Sequence, residues 1–186
     1  MNKFSIDFAE YYIAGILQKE FSKKQNFSVN IPLSRQQKDY DLFLHNGIDR
    51  KSLTIQVKSS RTYITTGIPK NKSSFNYDAW FKRFIISKYC DFYFCYLSFP
   101  LFDPVNFKPK AAFDTKILVF DNNEMQVILD EIKTKRKGTP ETFFGFGFNI
   151  NSNKIFGTRG FVSATPREFT NNLFENKLTQ LKKHIL

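Results

Sequence analysis

The chain has 186 residues, 41% of them hydrophobic and 24% charged, which suits one ordinary domain with a full core and excludes both a disordered chain and two large domains. Its formal net charge is +11, and the stretch from Asp49 to Cys90 alone holds nine basic residues against two acidic ones, a local excess of +7. A field of that sign attracts polyanions, so nucleic acid is the expected partner. No basic amphipathic helix argues for a membrane surface, no apolar run approaches the ~18 residues of a membrane span, and Asp7 falls where a signal peptide keeps its apolar core. The 23 phenylalanines accompany abundant Lys, Asn and Ile, a compositional bias of little functional weight.

In chain order, the spacing predicts a helix over residues 5–21, with Ser5 as N-cap and Ile6, Ala9, Ile13, Leu17 and Phe21 on one stripe. Glu10 falls in the middle of that stripe, so its carboxylate meets either a burial cost or a polar site at the core's edge. A short strand is expected over 27–33, ending at Pro32, then stronger strands over 40–44 and 52–58 joined by a polar connection with Asn46-Gly47. Residues 61–76 read as a basic loop. Residues 77–87 read as a helix, because Trp80, Phe81, Phe84 and Ile85 recur at helical spacing. Strands follow at 91–97 and 116–120, a helix at 122–137 entered through Asp121, a Gly-punctuated hairpin over 143–161 turning near residues 151–153, and a closing helix over 167–184 entered through Pro166. The expectation is a single α/β domain over 1–186, with 139–186 as an added lobe for DNA recognition or dimerisation. Cys90 and Cys95, if they share a strand, point to opposite faces by their odd separation. Two buried free thiols in a reducing cytoplasm are therefore expected.

Four residues carry the chemistry: Glu10, Asp41, Gln56 and Lys58. Alternation puts Gln56 and Lys58 on one face of their strand, and Asp41 on the neighbouring strand can reach the same patch. Asp39 shares Asp41's parity, but Asp41 abuts the apolar run. Two carboxylates, an amide oxygen and the Val57 carbonyl make a hard-oxygen set of the kind Mg²⁺ prefers. A protonated lysine beside it can steady an attacking water and the charge growing on a phosphate. Ser59, Ser60 and Arg61 at the strand's exit, Lys70 and Lys72 in the basic loop, and Lys82 and Arg83 beyond it are expected on DNA phosphates, with Arg159 reaching a groove. His45 and His184 pair with no nucleophile. The Gly145-Phe146-Gly147 and Gly157-Thr158-Arg159-Gly160 stretches lack the strand-to-helix context of a phosphate loop.

Tyr40-Asp41 followed by Gln56-Val57-Lys58, with Glu10 on a preceding helix and the order helix, strand, strand, strand, resembles the PD-(D/E)XK nuclease superfamily over roughly residues 4–98. The departure is Gln56, which stands where that family usually has an acid. Q-x-K also occurs in the family, in a homing endonuclease of a group I intron. The resemblance implies a restriction-endonuclease-like mixed β-sheet core flanked by helices. It also implies Mg²⁺-dependent hydrolysis of double-stranded DNA, with Mn²⁺ substituting, by a cytoplasmic homodimer of restriction or homing type. A Holliday-junction resolvase and a non-catalytic DNA-binding protein on the same fold are the alternatives. Asp41, Gln56, the Val57 carbonyl and Glu10 are the implied metal ligands, and Lys58 the implied catalytic lysine.

Overall fold

A computed structural model of the chain describes residues 8–32, 39–65, 75–102, 109–132, 134–135, 139–149, 152–161 and 166–186. A helix α1 (Phe8–Glu20) leads into strands β1 (Phe27–Asn30), β2 (Leu42–Asn46), β3 (Lys51–Ile64), β4 (Tyr77–Lys82), β5 (Phe92–Phe102) and β6 (Pro109–Asp121). Helix α2 (Asn122–Glu131), the two-residue strands β7 (Thr134–Lys135) and β8 (Thr139–Pro140), then β9 (Phe143–Phe148), β10 (Ile155–Gly157) and helix α3 (Phe174–Ile185) complete the chain. The fold is mixed α/β, and no described helix is long and apolar enough to cross a membrane.

The sheet is organised around β3, a run rich in β-branched residues. Its first half pairs antiparallel with β2, from Asn46↔Lys51 to Leu42↔Ile55. On its other edge it pairs parallel with β5, from Ile55↔Phe92 to Arg61↔Ser98. Its last residues pair antiparallel with β4, from Thr62↔Ala79 to Ile64↔Tyr77. From β4 the sheet continues through β9 to β10, and β6 closes the far side of β5. Strands β9 and β10 thus belong to the same sheet, β7 and β8 pair only with each other, and α3 packs into the core that holds α1.

Alternation along these strands builds two cores. Leu53, Ile55 and Val57 of β3, with Phe92, Phe94 and Tyr96 of β5, face α1 and α3, burying Ile13, Leu17, Leu181 and Ile185. Tyr93, Cys95 and Leu97 of β5 face the other way and meet Tyr77 and Phe81 of β4, Phe144, Phe146 and Phe148 of β9, and Ile128 and Leu129 of α2. The sheet therefore curls until β4 and β9 lie over β5 and β6, with aromatic pairs such as Phe120–Phe146 (ring centroids 6.0 Å apart) and Tyr77–Phe99 (4.9 Å) bridging the layers.

Several elements depart from the sequence reading. Residues 77–82 are a strand, because β4 is held on both edges and shows a period of two: Tyr77, Ala79 and Phe81 point inward. Ile85, assigned to a helical stripe, is 94% exposed. Helix α2 stops at Glu131, where the buried Ile132 takes an extended backbone, but its start is as expected. Asp121 accepts from the Glu124 amide at 2.8 Å and its own amide donates to Glu124 Oε2 at 3.0 Å, a reciprocal cap. Cys90 precedes β5 rather than lying on it, so the parity argument fails: both free thiols enter the same core.

The β2–β3 connection uses Asn46 as an anchor. Its buried amide accepts from the Ile48 N–H at 3.0 Å and donates to Asp49 Oδ2 at 2.7 Å and to the Ile185 carbonyl at 3.0 Å. This ties the hairpin to the end of α3. Asn46→Ala leaves the Ile185 carbonyl without that donor, and a chemical-denaturation series should show a loss of about 1–3 kcal/mol.

Candidate active site

The two strands that share one edge of β3 do not meet. β2 leaves it at Ile55 and β4 arrives at Thr62, so among the described residues no strand pairs with that edge over residues 56–61. Asp41, one step before β2, fills the first vacancy: its amide donates to the Ile55 carbonyl at 2.8 Å, and its Oδ2 accepts from the Val57 N–H at 2.7 Å. A carboxylate thus continues the ladder where the backbone of β2 turns away. The N–H and C=O of a strand residue leave by the same edge, so the Val57 carbonyl also opens toward Asp41.

Asp41 lies opposite Gln56 in the extended register, and Gln56 and Lys58 alternate away from the core that buries Ile55 and Val57. Asp41, Gln56 and Lys58 therefore occupy one face, with Gln56 buried and the other two half-buried. Lys58 lies beside Cys95 in the parallel register, its Nζ 4.7 Å from the centre of the Phe84 ring. Burial pushes the Lys58 ammonium below the usual lysine range, and the Asp41 carboxylate pulls in the opposite direction without cancelling it. Burial pushes the Cys90 and Cys95 thiols up to about 12, so both stay protonated. Beyond Phe84, the Ser87 hydroxyl donates to Asp39 Oδ1 at 2.7 Å and the Ser87 amide to the Tyr93 hydroxyl at 2.9 Å. These bonds tie Ser87 to Asp39 and to β5. A cleft of about 480 Å³ opens on the far side of Phe84, with Lys82, Arg83, Gln126 and Glu141 in its walls.

Glu10 is not brought to this face. Its helix buries Ala9, Ile13 and Leu17 on the α1 side of β3, with Ile55 and Val57 rather than Gln56 and Lys58; the carboxylate is half-buried in the helix's first turn. Of the residues expected on DNA, Lys82 and Arg83 are exposed at and just beyond the end of β4. Ser59 points to the α1 side, across from Tyr96. The Ser60 hydroxyl donates to the Trp80 carbonyl. Arg61 lies in β3 opposite Ser98, and Lys70 and Lys72 lie outside the described residues. Arg159 is pinned: it contacts Glu141 Oε1 at 3.3 Å and stacks 5.0 Å from the Trp80 ring and 4.7 Å from that of Phe143.

No family model, curated protein or solved structure matches this chain. The site must be read on its own chemistry. Among the described residues no three His, Cys, Asp or Glu side chains group closely enough to hold an ion. The donors that gather are one carboxylate, one amide and one backbone carbonyl. That hard-oxygen set with a single charge fits a magnesium ion that keeps most of its water and takes further oxygens from substrate. The packing of Lys58 against Phe84 and Cys95, and the bonds of Ser87 to Asp39 and Tyr93, escaped the sequence reading. Only Asp39 left a signal, its parity with Asp41.

Burial makes the folded chain hold the Lys58 proton less tightly than the unfolded chain does. Between the folded and unfolded values the unfolded chain binds more protons, so stability rises with pH there, and at neutral pH the buried charge is a net cost. Lys58→Met should raise the thermal midpoint at pH 7, and the gain should shrink as the pH climbs toward the unfolded lysine value near 10.4.

Proposed function

We propose that this protein is a metal-dependent nuclease of the PD-(D/E)XK type acting on DNA. The observation that carries the reading is the bare edge of β3, where Asp41 is bonded to Val57 while Gln56 and Lys58 share its face. The strand order around β3, a β2–β3 hairpin followed by a parallel β5 with a helix on each side, supports a restriction-endonuclease-like core. The basic surplus over residues 49–90 supports a polyanionic substrate.

Asp41, Gln56 and the Val57 carbonyl would hold Mg²⁺, or Mn²⁺ in its place. When bound, the ion supplies Lewis-acid polarisation of a phosphate and a water of lowered pKa. Lys58 does the rest from the protein's side. Its position beside Asp41 lets the ammonium orient an attacking water and offset charge developing on the phosphate. The low-dielectric wall formed by Phe84 and Cys95 strengthens that interaction. Asp41 keeps its carboxylate aimed because the Val57 N–H fixes one oxygen. Lys82 and Arg83, exposed beside the cleft, serve as phosphate contacts that position the duplex. Action as a homodimer would allow both strands to be cut.

Glu10 on the far face and a site with one carboxylate favour a second reading, a DNA-binding protein whose nuclease site is idle. Plasmid cleavage with Mg²⁺ or Mn²⁺ separates the two. Lys58→Ala should abolish cutting while salt-sensitive DNA binding in a filter or gel-shift assay stays within about twofold. Cutting that survives this substitution refutes the site. Gln56→Glu, which adds a charge to the donor set, should lower the Mg²⁺ concentration for half-maximal cutting by about tenfold, a shift of about 1.4 kcal/mol. Comparison of a linear duplex with a four-way junction distinguishes a restriction- or homing-type enzyme from a junction resolvase.

A further inference from the structure

The outer face of β4 and its neighbours carries two aromatic residues, Tyr63 and Trp80, that the cleavage chemistry does not use. Tyr77, Ala79 and Phe81 point into the core, so Trp80 and Lys82 point out, and in register Trp80 lies against Gly145 of β9 and Asp78 against Gly147. A Cβ at Gly145 would come within 2.6 Å of the indole, and one at Gly147 within 2.5 Å of the Phe75 ring. These glycines leave room for the aromatic rings against the β9 backbone. Trp80 overlaps Tyr63, with ring centroids 4.7 Å apart and planes 33° from parallel, yet the two residues remain 36% and 46% exposed. Arg159 lies over the indole and is paired with Glu141, and Lys82 stands exposed on the same face of β4. The buried sides of α1 and α3 belong to one core and that of α2 to the other, so no described helix covers this face.

We propose that the Tyr63–Trp80 face stacks the unpaired bases of a single-stranded nucleic-acid segment. Every base offers a π-face to such rings, and the exposed Lys82 supplies a cation beside them for the phosphate backbone. The formal charge of +11 and the excess of basic residues over 49–90 favour a polyanion here over a second copy of the chain, which the same charge would repel. The proposal rests on the nucleic-acid part of the reading above but not on the chemistry at Asp41 and Lys58.

Trp80 is the chain's only tryptophan, so its emission reports on this face alone. The protein is titrated in EDTA, where metal-dependent cleavage is blocked, with an oligothymidylate of about twelve nucleotides and with an abasic strand of the same length and charge. The oligothymidylate should quench Trp80 and the abasic strand should leave it unchanged. By fluorescence anisotropy with a labelled strand, Tyr63→Ala should weaken oligothymidylate binding by about tenfold, and Trp80→Phe should recover most of what Trp80→Ala loses. Equal quenching by both strands, affinity unchanged in Tyr63→Ala, or quenching produced by concentrating the protein alone would overturn the proposal; the last outcome identifies a second copy as the occupant. Quenching that survives in a protein unable to cut plasmid overturns only the nuclease reading.

Discussion

The hydrogen bond between the Asp41 carboxylate and the Val57 amide is the interaction on which the site depends. An interior strand normally satisfies both edges with backbone, and β3 does so except where β2 and β4 diverge. An amide left unpaired there would cost about as much as a lost buried hydrogen bond. A side-chain carboxylate supplies the acceptor, and in doing so a charged oxygen pair becomes fixed beside the Val57 backbone. The local demand of the sheet and the proposed chemistry are met by one residue, which is why removing Asp41 would disturb both.

Lys58 experiences two opposed influences at this place. Packing against Phe84 and Cys95 removes water from its ammonium, and Asp41 restores part of what is lost. The balance favours the neutral form more than water does, so the folded chain retains a destabilising charge. Sites of this kind are common where a group is held ready for a task, although structural ion pairs produce similar shifts. The two thiols nearby contribute apolar wall rather than reactivity.

Much of this was legible in the sequence because it is local. A period of two over 52–58 gave the shared face of Gln56 and Lys58, and the polar connection after residue 44 gave the hairpin that brings Asp41 alongside. The failures were failures of long-range information. Trp80, Phe81, Phe84 and Ile85 fit a helical period, but β3 and β9 hold residues 77–82 extended, and neither pairing leaves a mark in the local pattern. The stripe on α1 showed that the helix buries one side; it contained nothing about which side of the sheet it would meet, and so could not place Glu10. The aromatic face around Trp80 was missed for the same reason as the strand that carries it, since a helix would have directed Trp80 inward with Phe81.

Because β3 belongs to both layers, it acts as a rigid spacer within the molecule. Val57 and Tyr63 are six residues apart on one continuous strand, a separation of at most about 20 Å at ~3.3 Å per residue. No hinge or linker intervenes, so whatever occupies the lysine side and whatever occupies the aromatic side do so at a fixed interval, measured out by the backbone itself.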